Sequence, residues 1–197
     1  MKKGTVVTII ILLVLVVLGL RYGISSNNQM VTLQEGVRSS WSQVENSYQR
    51  RADLIPNLVN TVKGYAAHEQ ETLTQVVEAR SKASQVTMDP TNLTPEMLQQ
   101  YNQAQGELSQ ALNKLMVVVE RYPDLKANTN FQELQRQLET TENQISTVRS
   151  AFNESVQGYN TYIRKFPRSI IASIAGFAQN GYFEAEAGAE KAPEVQF

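Results

Sequence analysis

The chain contains no cysteine, which excludes disulfides, thiolate metal sites, cysteine nucleophiles and a lipid-modified cysteine near the N-terminus. Histidine occurs once, as His68. A zinc-protease helix or the paired Glu-x-x-His motifs of a di-iron bundle need a second histidine. In His68-Glu69-Gln70-Glu71-Thr72 that place is held by Thr72, so His68 reads as a surface or helix-break residue. No glycine-rich loop precedes a helix to cradle phosphate. Ser39, Ser40, Ser42 and Ser47 lack a histidine or lysine base at a useful spacing, so nucleophilic catalysis has no support. No cofactor and no metal are expected.

Acidic residues are missing from the first 34 positions, while Lys2, Lys3 and Arg21 flank a long apolar run. Setting those three aside leaves 15 basic residues against 19 acidic, a net charge of −4 for the remainder. A mildly acidic body lacks the basic footprint that a nucleic-acid partner requires. With 197 residues, 42% hydrophobic and 19% charged, there is room for one folded domain plus an anchor.

The apolar run Val6 to Leu20 extends from Gly4 to Ile24 if Arg21 snorkels to the interface, and so reaches the roughly 20 residues a bilayer needs. A cleaved signal peptide is the rival reading, with a small-x-small site at Gly23-Ile24-Ser25. Arg21 just before that site and the length of the run favour an uncleaved signal-anchor. Two lysines and the amino terminus before the run leave the N-terminus in the cytoplasm and the body outside. Ser25 to Gln29 reads as a short polar linker. The expected organisation is residues 1–25 as anchor, 26–183 as a helical bundle and 184–197 as a mobile acidic tail.

From Leu33 on, the period is helical. Leu33, Val37, Trp41, Val44, Tyr48, Ala52 and Ile55 form one stripe, with Trp41 as a core anchor. The stripe continues past Pro56 through Leu58, Val62, Tyr65 and Ala66 without a change of phase. Proline removes a helical hydrogen bond, so the helix either kinks there or reverses near Arg51 to Ile55. The unbroken phase favours a kink. Gly64 weakens the helix before His68. Ser84 to Thr94 reads as a loop, with Thr94-Pro95-Glu96 starting the next helix. Met97, Tyr101, Ala104, Leu108, Ala111, Leu115, Val118 and Tyr122 make a second stripe. Leu134, Leu138, Thr141, Ile145, Val148, Phe152, Ser155, Tyr159, Tyr162 and Phe166 make a third, with Thr141 and Ser155 its weak points and Ala151, Val156 and Ile163 broadening it. Ile170 to Ala178 suggests a short apolar helix folding back onto the bundle end, closed by Asn180-Gly181. The fold class is all-α: a transmembrane helix, then an antiparallel four-helix bundle.

The chain resembles the LemA family of bacterial membrane-anchored proteins. The resemblance rests on Trp41 to Glu45, Arg50 to Val59 (RRADLIPNLV), Val62 to Ala66 with His68-Glu69, and Ala79-Arg80. It continues through Tyr122 to Asn128, Asn130-Phe131, Thr141 to Asn143, Arg149, Tyr159-Asn160, Phe166-Pro167 and Gly176-Phe177. It implies the same anchor-and-bundle architecture in a bacterial inner membrane. It implies no catalytic residues, and a role among envelope proteins, a membrane protease being one expected neighbour.

Candidate partner-binding residues are Arg50, Arg51 and Asp53, which share one helical turn, and His68 with Glu69 at the helix break. The bland reading of the first group is a solvated face in which Arg50 pairs with Asp53 at i,i+3. The function expected is a membrane-anchored scaffold or adaptor that binds envelope proteins or itself. The alternatives are a hydrolase using Glu69 and Glu71, or a module whose Arg50 and Arg51 contact lipid headgroups.

Overall fold

A computed structural model describes residues 3–90 and 93–184. The described residues form six helices and no strand: α1 (Lys3–Tyr65), α2 (Gln70–Gln85), α3 (Pro95–Val119), α4 (Pro123–Lys126), α5 (Thr129–Arg164) and α6 (Arg168–Ala175). The fold is all-α. The expected acidic tail, Glu184 apart, lies outside the described residues.

α1 is a single helix that serves two solvents. Its apolar N-terminal part is exposed on every side, as a lipid-facing segment must be. Its remainder carries the buried residues Met30, Val37, Trp41, Val44, Tyr48, Ile55, Leu58 and Val62. The polar run Ser25 to Gln29 is no linker: it is helical, and Ser26 is buried. Ser, Asn and Gln tolerate a helix interior when neighbouring turns and tertiary packing hold it. The helix therefore runs past residue 25 without a break.

Pro56 lies inside α1, and the chain does not reverse there. Proline has no N–H, so the Ala52 carbonyl loses its donor four residues on. Arg80 of α2 supplies one instead: its Nε donates to the Ala52 oxygen at 2.7 Å. The bond also ties α2 to α1 at that turn.

α1 and α5 run antiparallel. Ser40 meets Ser155 hydroxyl to hydroxyl at 2.8 Å, Arg51 reaches Glu142, and the Tyr65 hydroxyl accepts from Asn128 at 2.8 Å. α2 pairs with α3 against α1 in the half far from the membrane, around Ile55, Leu58, Val76, Leu108 and Leu115. α2 is short. In the nearer half the core of Trp41, Tyr101, Val148, Phe152 and Tyr159 is closed instead by Met88, Leu93 and the segment after α6.

That segment is held by side chains acting as a strand edge would. The Asn160 amide accepts from the Asn180 N–H and donates to its carbonyl, at 3.0 and 2.8 Å. The Asn153 amide does the same with Phe183, at 2.9 Å both ways. Phe183 is thereby placed in stacked contact with Trp41, ring centres 6.0 Å apart, and edge-on to Phe152. Gly181 between them passes so close to α3 that a Cβ would lie 2.8 Å from the Pro95 Cα. Gly181 does not close α6, as expected from Asn180-Gly181; Gly176 does, in the left-handed conformation that favours glycine at this cap.

Helix starts follow their caps: Thr94 accepts from the Met97 N–H, and Asn128 from the Phe131 N–H. The stripes drift by one residue from the strict four-three alternation. Gln105 is buried where Ala104 was expected, and Val119 replaces Val118; on α5, Val156 and Ile163 replace Ser155 and Tyr162. Phe166, extrapolated onto the same stripe, is 81% exposed. A helix of 3.6 residues per turn drifts about 20° per heptad against a 3.5 repeat, enough to shift the buried face over α5.

Replacing Arg80 by Met removes the donor to the Ala52 carbonyl while keeping most of the stem. It should cost about 1–3 kcal/mol, read from thermal unfolding of the full chain in detergent by circular dichroism. In a Pro56→Ala background the backbone N–H restored at that position can take over, so the same substitution should cost about 1 kcal/mol less. Equal costs in both backgrounds would contradict the assignment.

Candidate functional site

Between the two apolar halves of the core lies a layer of buried polar residues: Ser47, Arg51, Gln105 and Thr141. Its centre is Arg51, only 2% exposed, which α1 directs inward between α3 and α5. Nη1 donates to Ser109 Oγ at 3.0 Å and to Glu142 Oε2 at 2.9 Å. Nη2 donates to Gln105 Oε1 at 2.7 Å and to its backbone carbonyl at 3.3 Å. The guanidinium also lies 5.0 Å from the centre of the Tyr48 ring. A planar cation with five donors suits such a task, since one side chain can engage two helices at once. Next to it the Tyr101 hydroxyl is pushed well above the ordinary phenol range, first by burial and then by Tyr48.

Above Arg51 a cleft of about 370 Å³ opens between α3 and α5. Leu112, Met116 and Leu138 give it apolar walls, with Asn113, Gln135, Glu139 and Glu142 at the rim. At its floor Ser109 Oγ accepts from Arg51 and donates to the Gln105 carbonyl, while the buried Arg51 Nε has no hydrogen-bond partner among the described residues. Among the described residues no three His, Cys, Asp or Glu side chains converge as metal ligands.

The structure separates the candidate residues. Arg51 is inside; Arg50 and Asp53 are exposed, and Asp53 accepts from Gln49 Nε2 at 2.8 Å in place of an ion pair with Arg50. A 3.6-residue turn puts neighbouring residues about 100° apart, so two adjacent arginines cannot share one face. His68 and Glu69 sit in the turn between α1 and α2, about 20 Å from Arg51 along α1. His68 is exposed. Glu69 accepts from the Tyr122 hydroxyl and from Arg121 Nη2, both at 2.9 Å, and ties that turn to the end of α3. Its carboxylate raises the Tyr122 hydroxyl above the usual phenol value, the hydrogen bond being the main cause. Trp41 is fully buried, edge-on to Tyr101 and Phe152.

Sequence reasoning missed Gln105, Ser109 and Glu142. The signal was faint but present: Thr141 interrupts an apolar stripe, and Gln105 falls on the buried face once the period is taken as 3.6.

The family model for the LemA family matches residues 40–197, the whole bundle from the core tryptophan onward. The chain belongs to the LemA family. Among curated relatives, the magnetosome proteins MamQ 2 of Paramagnetospirillum magneticum and MamQ of Magnetospirillum gryphiswaldense are each 28% identical to it. These matches cover 80% and 79% of this chain, which spans 64% of the length of either relative. Protein LemA of Metamycoplasma hominis is 23% identical over 82% of this chain and 70% of its own. With one helix long and apolar enough to cross a membrane among the described residues, this LemA-family chain reads as a single-pass membrane protein.

Replacing Arg51 by Leu fills similar space but strands the Gln105 and Ser109 acceptors. Glu142 is 55% exposed and returns to water, so the cost should be about 1–3 kcal/mol and not the larger loss of an uncompensated buried charge. Glu142→Gln should cost under about 1 kcal/mol. Chemical unfolding of both variants in detergent checks the order; a larger loss for Glu142→Gln would contradict it.

Proposed function

We propose that the chain is a membrane-tethered scaffold whose bundle binds another envelope protein or a second copy of itself, without catalysis. The observation that carries this reading is the unbroken α1, which runs from the apolar span into the core of the bundle and so supports a bundle held at a set height over the bilayer. The α3–α5 cleft, with apolar walls and a polar rim, is the proposed contact surface. Exposed Arg50 and Asp53 on α1 and His68 at the far turn are further proposed contacts. Relatives named as magnetosome proteins fit the membrane setting of this reading.

The proposed setting is a bacterial inner membrane with the N-terminus cytoplasmic, supported by Lys2 and Lys3 before the span and a single Arg21 just after it. Residues 1–25 and 26–183 are proposed as a division of environment, lipid against water, and 184–197 as a separate acidic tail. A membrane protease remains one proposed neighbour.

A hydrolase built on Glu69 and Glu71 has less support. Glu69 is engaged by Tyr122 and Arg121, and Glu71 accepts from Gln75 on an exposed helix face. A headgroup site at Arg50 and Arg51 has less still. Arg51 is buried, and both lie about 40 Å along α1 from Ile24.

Photo-crosslinking residues at Asn113, Gln135, Arg50 and His68 test the scaffold reading in native membranes. Discrete adducts are expected from the two cleft-rim positions. No adduct at any position, together with a strictly monomeric protein in detergent, would overturn it.

A further inference from the structure

α6 buries one side and leaves the other bare. Ala172 is buried, and Ile171 and Phe177 pack against the nearer core. Ile170 and Ile174, one turn apart, are 53% and 83% exposed, and Phe166 just before the helix is bare as well. Three large apolar side chains bare within nine residues of chain call for an occupant.

Their height is set by α1. The register that joins Tyr65 to Asn128, Arg51 to Glu142 and Ser40 to Ser155 brings the last turn of α5 beside Met30. Ser26 is buried one turn nearer the membrane, and α6, which follows α5, packs on both α1 and α5. Met30 is about 9 Å along the helix from Ile24, and Ser26 about 3 Å. The headgroup layer on each side of the hydrocarbon is about 5–8 Å deep. The exposed patch is therefore at headgroup height.

The chain around α6 carries charge of one sign, the carboxylates of this end of the bundle standing on other elements, Asp89 beside Met88 and Glu96 at the start of α3. No acidic residue occurs before Glu35 or between Glu154 and Glu184, whereas Arg21, Arg164, Lys165 and Arg168 are all found there. Arg164 and Lys165 are exposed, and Arg168 lies 4.1 Å over the Tyr162 ring. Apolar side chains bordered along the chain by Arg164, Lys165 and Arg168 match the interface of a bilayer containing anionic lipid.

We infer that Phe166, Ile170 and Ile174 form a second membrane contact, inserted among the headgroups of the leaflet into which α1 runs and steered there by Arg164, Lys165 and Arg168. The bundle is then held at two points, and its rotation about α1 is fixed as well as its height.

Because the chain has no cysteine, Ile174→Cys gives one attachment point for a nitroxide in the full-length protein, with Gln110→Cys on exposed α3 as control. Unchanged helicity by circular dichroism verifies the fold. In vesicles of phosphatidylcholine with phosphatidylglycerol, the label at 174 should be reached by oxygen, be shielded from a water-soluble nickel complex, and report a depth of about 5–10 Å. The label at 110 should stay water-accessible. In phosphatidylcholine alone the depth should fall, and Arg164→Glu with Lys165→Glu should remove the difference between lipids. Water-like accessibility at 174 in both lipids would overturn the inference, as would equal immersion in both. Spin–spin broadening at 174 that disappears on dilution with unlabelled protein would also overturn it, because a second copy would then cover the patch.

Discussion

One helix has to satisfy two environments, and the rest of the molecule is arranged around that constraint. The apolar first part of α1 has the composition of a lipid-facing span, and its later turns carry Trp41, Ile55 and Leu58 at the centre of the bundle. Continuity matters most where sequence works against it, at Pro56. The Ala52 carbonyl would be left without a donor there, and a part-buried unsatisfied carbonyl costs about 1–3 kcal/mol. Arg80 removes that penalty and joins the second helix to the first in the same contact.

A second consequence of the long α1 is that its partners cannot cover it alone. α2 reaches along half of the bundle, so the other half is closed by a loop and by the residues after α6. The Asn153 and Asn160 amides hold that backbone in place, and Phe183 completes an aromatic cluster around Trp41. Where the two halves of the core meet, Arg51 binds α3 and α5 at once. A buried cation with specified partners fixes the register of neighbouring helices better than apolar side chains, which tolerate sliding.

Much of this was legible in the sequence. The span, the helical stripes, the cap at Thr94 and the core role of Trp41 follow from local pattern and composition. Three features were not. The helix through Ser25 to Gln29 depends on tertiary burial of Ser26, which no polar run advertises. The drift of the buried face toward Gln105 and Val119 accumulates over many turns and escapes a fixed four-three count. Arg51 looked like part of a solvated charged face, because its partners lie 54, 58 and 91 residues away in the chain. The chemistry of the site is thus written in long-range contacts, and the family resemblance located the segment without giving the role of its arginine.

The continuity of α1 across the end of its apolar span is open to direct measurement. Nitroxides on Ser25→Cys and Asn46→Cys of the full chain, in lipid nanodiscs, report the distance between two exposed points on the helix by pulsed electron paramagnetic resonance. A continuous helix places them about 32 Å apart, roughly 21 residues at about 1.5 Å each, in a single narrow distribution. A broad distribution, or a mean several ångströms shorter, would show a hinge between span and bundle and contradict a rigidly held scaffold.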